Sequence, residues 1–255
     1  MYETHPMFTP PNDENQKIWR YTNLTKFLSL LDKRALFFAS PNSFEDPYES
    51  LLPKKDMLRA LNRGAFSGIG NELQRMAAIQ NEIRDAHKQN FANCWYSSDY
   101  ESAAMWRQYS SYNDGIAIQS TFARLRDSFG TLPDNFDLDI PPVFIGIVHY
   151  INYDTESTYD TIVDPRLNTL RWLLHKRLSF QSEQELRAIT DASGDDGSVA
   201  RGGRYVLVNL KVLIENIYLS PAAQPWQVEL VESLVRKYGI EAPVLQSNMW
   251  QNPPY

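Results

Sequence analysis

The longest uninterrupted apolar run in this chain, 143–148 (Val-Phe-Ile-Gly-Ile-Val), has a glycine inside it. A bilayer span needs about 20 consecutive apolar residues, so no segment reads as a transmembrane helix and no membrane partner is expected. The core must be assembled from many short segments, each stopped by proline, glycine, asparagine or serine. A chain of 255 residues is long enough to bury one. Short helices and strands interleave without regular βαβ spacing, which predicts an α+β fold: a single domain with mixed or antiparallel sheets of short strands flanked by helices.

Residues 1–16 carry Pro6, Pro10 and Pro11 with little periodicity and read as a flexible N-terminal lead-in; 17–255 is expected to be the single domain. Leu24, Phe27, Leu28 and Leu31 fall at i, i+3, i+4 and i+7 behind Asn23 as N-cap, predicting a helix. A buried strand at 35–39 follows. The spacing next predicts a helix over 71–90, a strand at 91–96, a helix over 99–109 capped by Ser98, and a strand at 115–119. A loop spans 129–142 and the strongest strand candidate 143–150. Leu167, Leu170, Leu174 and Leu178 align as one helical face, predicting a helix over 167–178. A Gly- and Asp-rich flap at 191–203 leads to strands at 205–210 and 217–219. Pro225 suits the first position of a helix stopped by Gly239, with a last strand near Val244 and Leu245.

Hydrophobic content of 43% with 22% charged residues describes a folded protein. The lone Cys94 excludes an internal disulfide, reads as a buried inert thiol and fits a reducing compartment. With no basic, apolar N-terminal signal pattern, a cytoplasmic location is expected. A net charge of −6 argues against broad attachment to nucleic acid through its phosphates. The four histidines, His5, His87, His149 and His175, have no metal-ligand spacing; His87 reads as satisfying helix-terminal carbonyls and His175 as structural or solvated. No phosphate loop, dinucleotide fingerprint or nucleophile elbow is present, and no metal site is expected.

The segment Ser179-Phe180-Gln181-Ser182-Glu183-Gln184-Glu185-Leu186-Arg187 invites a chemical reading. As a strand it puts Glu183, Glu185 and Arg187 on one face. Same-face neighbours lie about 6.5 to 7 Å apart, so Arg187 can hold Glu185 ionised while Glu183 stays partly free. Such a row suits chemistry on a sugar or phosphate. The plain alternative is a surface ion pair worth at most about 1 kcal/mol.

Three more clusters join it: Ile18-Trp19-Arg20-Tyr21-Thr22, the turn Ser40-Pro41-Asn42-Ser43-Phe44-Glu45-Asp46-Pro47-Tyr48-Glu49, and 105–115 with Trp106, Tyr109 and Tyr112. In this order, over about residues 18–220, they resemble the bacterial family known as domain of unknown function 2971. Glu45, Tyr48, Gln108 and Leu186 depart from that pattern, the missing histidine at 108 removing an acid/base candidate.

The order of an early basic residue, central aromatics and a late E-x-E is also similar, more distantly, to ADP-ribosyltransferases. That resemblance implies NAD as substrate and cleavage of its nicotinamide–ribose bond, by transfer or by hydrolysis. A fixed carboxylate, Glu185, would stabilise the oxocarbenium-like ribose, and Glu183 would help deprotonate the acceptor. Arg20 would hold phosphate or ribose, and Trp106, Tyr109 or Tyr112 would supply the stacking surface. Tyr21, Thr22, Ser40, Asp46 and Arg187 complete the expected binding set. A defence or toxin effector suits this chemistry. The acceptor (protein, nucleic acid or small molecule) and the oligomeric state stay open. Two alternatives stand beside it: a non-catalytic ligand- or partner-binding regulatory module, and a metal-dependent nuclease built on Asp46, Glu183 and Glu185.

Overall fold

Asn23 closes one element and starts the next. It ends strand β1 (Lys17–Asn23), and its side chain accepts from the Lys26 amide to cap helix α1 (Leu24–Lys33). Arg34, left-handed at φ 49°, then turns the chain into β2 (Ala35–Ala39). The computed structural model describes residues 1–49, 51–109, 114–130, 142–158, 170–192, 199–200 and 202–251. A helical hairpin, α2 (Lys54–Asn62) and α3 (Glu72–Ala86), leads to β3 (Asn90–Ser97), α4 (Ala103–Tyr109), β4 (Gly115–Thr121) and α5 (Phe122–Ser128). Strands β5 (Phe144–Ile147), β6 (His149–Ile151), β7 (His175–Arg177), β8 (Glu185–Asp191), β9 (Val199–Ala200) and β10 (Gly203–Leu207) follow. The chain closes with α6 (Leu210–Leu213), β11 (Asn216–Leu219), α7 (Pro225–Lys237) and β12 (Val244–Gln246).

Among the described residues ten strands form one sheet, antiparallel in every pairing except β11 with β12. Its main row runs β12-β11-β4-β1-β3, and β8 and β5 continue it. A branch, β2-β10-β9, joins β3 beside β1. Helices α1, α5 and α7 cover one face, where Ile18, Phe27, Leu31, Trp95, Ile118, Leu186 and Val231 make the main core. Helix α4 covers part of the other face, packing Met105 and Trp106 on Trp19, Tyr21 and Ala117. The α+β expectation holds. No helix among the described residues is long and apolar enough to cross a membrane.

Several local expectations are corrected. The helix expected from 99 begins at Ala103: Ser98 Oγ caps a turn at Tyr100, and Ser102 Oγ accepts from the Met105 amide instead. The strand expected over 143–150 breaks at Val148, whose amide donates to the Glu185 carbonyl, and β6 pairs with β7 in a separate two-stranded sheet. Of the helix expected over 167–178, residues 167–169 lie outside the described residues. Leu170, Leu173 and Leu174 keep helical spacing and are buried, but Trp172–Leu174 is a 3-10 turn and His175 starts β7, whose pairing with β6 overrides the periodicity. Residues 1–16, read as a lead-in, lie against the domain: Tyr2 bridges Val143 and Phe8 is buried against Phe144.

The α2–α3 hairpin is fastened through Asp56, which is fully buried in the first turn of α2. Its carboxylate accepts from the Ser157 hydroxyl, the Thr158 amide at 2.7 Å and the Thr158 hydroxyl at 2.8 Å. Removing it takes away the acceptor of both donors of buried Thr158. Asp56→Ala is expected to lower the unfolding free energy by about 3 kcal/mol, with amide exchange rising first in α2 and α3; urea denaturation and hydrogen exchange measure both.

Candidate active site

Strand β3 is a shared rail with a gap on one side. Along one edge it pairs with β8 from Asn90 to Tyr96. Its other edge pairs with β1 only through Ile18 and Trp19, and with β2 only through Ala39. Between those points β1 and β2 splay apart, and side chains take over the missing ladder. Arg20 donates from Nη1 to the Cys94 carbonyl at 2.8 Å, and Asn93 donates to the Phe37 carbonyl at 2.8 Å. The opening continues into a cavity of about 680 Å³, with Arg20, Thr22, Tyr109, Glu183, Glu185 and Arg187 among its walls.

Glu185 stands directly across β3 from Tyr96, which in turn faces Trp19 on β1. Its two oxygens are held separately: Oε2 accepts from Arg187 Nε at 2.6 Å, and Oε1 from Lys176 Nζ at 2.7 Å. Lys176 also reaches Glu183 Oε2 at 2.5 Å, and Arg187 also donates to Glu49 and to the Leu173 carbonyl. All five charged side chains are at most 7% exposed. Three carboxylates against two cations leave one surplus negative charge in a buried setting. Beside this cluster Arg177 grips Asp46 with two nitrogens, at 2.8 and 2.9 Å.

The two glutamates titrate apart. Burial favours the neutral form of both. At Glu185 the charges of Arg187 and Lys176 more than offset burial, and its carboxyl lies well below the usual carboxylate range. Glu183 has no guanidinium; burial and its bond to Glu185 outweigh Lys176, so its carboxyl is pushed up. Burial raises the Cys94 thiol to about 12, which keeps it protonated and inert. Burial likewise raises the Tyr109 and Tyr150 phenols, leaving them hydrogen-bond donors rather than phenolates.

Of the expected site residues, Arg20, Tyr21, Thr22, Asp46, Tyr109, Glu183, Glu185 and Arg187 meet at this cavity. Arg20 is partly buried, forms no ion pair among the described residues, and is not bound by Asp46, which Arg177 occupies. Trp106 is packed edge-on against Tyr21 at 2% exposure, and Ser40 bonds to Gly202 in the turn after β2; neither is among the cavity-lining residues. Tyr112 lies outside the described residues. Glu183 does not share a strand face with Glu185: it ends a 3-10 turn, Leu178–Glu183, and left-handed Gln184 (φ 40°) separates it from β8. The turn nevertheless brings both carboxylates to one ammonium. Lys176 and Glu49 were not anticipated as site residues; the Lys176-Arg177 pair just upstream of the E-x-E could have marked the first, and Glu49 at the end of the 40–49 turn carried no signal of its own.

No family model and no curated protein matches the chain, so the likeness to domain of unknown function 2971 rests on its four motifs. Among solved structures, DarT from Thermus sp. 2.9 in complex with ADP-ribosylated ssDNA is similar at 10% identity and a TM-score of 0.39, over 96% of this chain and 99% of that one. The same protein in complex with NAD+ gives 10% identity and 0.37, over 96% and 100%. Likeness at that level carries no argument about the reaction, which is left to the site's own geometry.

Two buried histidines, His87 and His175, set an acid limit. Burial pushes His87 down to about 4; His175, with burial first and His149 and Arg171 adding to it, also lies near 4. Both are neutral when folded and take a proton near 6.5 when unfolded. Between those values the unfolded chain binds more protons, so stability falls as pH falls, by up to about 1.4 kcal/mol per pH unit for each histidine. The melting temperature is expected to drop steadily from pH 6.5 to 4.5, and His87→Phe to flatten that slope.

Proposed function

We propose that the chain is an NAD-using ADP-ribosyltransferase, or an NAD glycohydrolase of the same type, that breaks the nicotinamide–ribose bond. The observation that carries this reading is the meeting of Arg20 and ionised Glu185 in one cavity, with a surplus negative charge at the glutamate end. In the reaction, the bonding pair leaves with nicotinamide, and the ribose carbon becomes an oxocarbenium-like cation that an acceptor or water attacks. A carboxylate fixed by Arg187 and Lys176 needs no reorganisation to stabilise that cation. Arg20, its charge uncompensated by any carboxylate among the described residues, suits the diphosphate. Tyr109, 44% exposed in a helix beside Glu183, offers the ring surface that buried Trp106 does not.

The same ion pairs favour one competing reading, a regulatory module whose buried network only shapes a ligand pocket. They disfavour a nuclease, because Arg177 holds Asp46 while Lys176 holds both glutamates. Glu185→Gln is expected to cut nicotinamide release from NAD by at least about 100-fold, in a protein that still folds. Arg20→Ala is expected to abolish the rise in melting temperature that NAD gives the wild type. An Glu185→Gln protein that releases nicotinamide at the wild-type rate ends the transferase reading; one that only melts lower, with no NAD effect on the parent, establishes the module.

A further inference from the structure

Glu183 and Glu185 come from different elements and would repel one another if both were charged and unscreened. Among the described residues, Lys176 is the cation that touches both, at 2.5 and 2.7 Å, with Glu49 a further 3.7 Å contact. Arg187 reaches Glu185 and Glu49 but forms no ion pair with Glu183. Among the described residues, the second oxygen of Glu183 receives the neutral Gln108 amide, at 3.2 Å. The ammonium is held in place from behind: β7 pairs with β6 at Tyr150, and the Phe180 ring lies 4.8 Å from Nζ. Tyr150 in turn accepts from the Glu185 amide at 2.8 Å, tying the lysine's strand to the glutamate's.

We infer that Lys176 is a positioning residue that bridges Glu183 to Glu185, so that Glu183 can remain an ionised base beside the fixed carboxylate. This rests on the NAD reading for its catalytic meaning, but not for its electrostatic content. Without the ammonium, three buried carboxylates, Glu49, Glu183 and Glu185, face one guanidinium; among the described residues the neutral Tyr109, Tyr150, Tyr153 and Cys94 and the already paired Arg177 and Asp46 surround them. Such a group must take up a proton. Arg187 pairs with Glu185 and Glu49 but not with Glu183, so Glu183 is the one left to take up the proton. Burial already pushes its carboxyl up, and Lys176 is the cation that opposes this. The pair is therefore a proton-sharing unit whose set point one side chain controls.

The test follows Glu carboxyl carbons by NMR through a pH titration of the full chain, with Glu183→Gln to assign the signal, and measures nicotinamide release from NAD over the same range. In Lys176→Met the Glu183 midpoint is expected at higher pH than in the wild type, while Glu185 stays ionised throughout. Release is expected to fall about tenfold at pH 6 and to return within about threefold of the wild type at pH 8.5. Lys176→Arg should restore both. If Lys176→Met does not fold, Lys176→Gln removes the charge and keeps a donor. An unchanged Glu183 midpoint in a folded Lys176 variant overturns the inference. A shifted midpoint with no nicotinamide release from any protein, wild type included, upholds the bridge and overturns the NAD reading.

Discussion

The cleft depends on the burial of Arg187. A guanidinium at 1% exposure has lost nearly all its water, a cost of several kcal/mol unless its donors are met. They are met by three separate pieces of chain: Glu185 two residues before it, Glu49 at the end of the turn after β2, and the Leu173 carbonyl before β7. The Phe44 ring lies 5.2 Å from it. One side chain thereby fixes how the 40–49 turn, β7 and β8 sit together. Those segments carry the acids and bases of the cavity, so its charge pattern depends on this guanidinium.

The split beside β3 serves the opposite purpose. A continuous sheet would have closed the space where β1 and β2 diverge, and its backbone groups would have been spent on a ladder. Arg20 and Asn93 satisfy the groups left over, each with a single bond. Among the described residues Arg20 thus has a fixed base and donors to spare, whereas both oxygens of Glu185 already accept from a cation. One end of the cavity thus carries a guanidinium with no carboxylate partner among the described residues, the other a cluster of carboxylates.

Much of this was legible in the residues. Asn23, Pro225 and Gly239 act locally, and the structure puts them at helix ends as their chemistry requires. Arg20, Tyr109 and Glu185 could be singled out because their order along the chain is distinctive. Where the reading missed, distant contacts had overruled local spacing. Lys176 sits in a stretch with helical leucine spacing, yet pairing with β6 makes it a strand residue. Glu183 follows strand alternation on paper, yet Gln184 at positive φ breaks the strand before it. Trp106 has the right chemistry for stacking, but its neighbours Tyr21 and Met105 claim its faces for the core. Nothing in a residue's own neighbourhood shows which distant segment will cover it.

The branch β2-β10 has a consequence for how the chain is made. Strand β2 is synthesised early, but its long partner is β10, residues 203–207, paired back to 35–39. The acids and bases at the far end of the cavity come mostly from 176–187. Pairings this remote in sequence form slowly, since the loop must be ordered before the contact rewards it. A nascent chain emerging from the ribosome therefore has β1 and α1 long before it has a second wall or a charge cluster. Whatever this cavity does therefore waits until residues 176–207 have been made and folded back onto the strands that precede them.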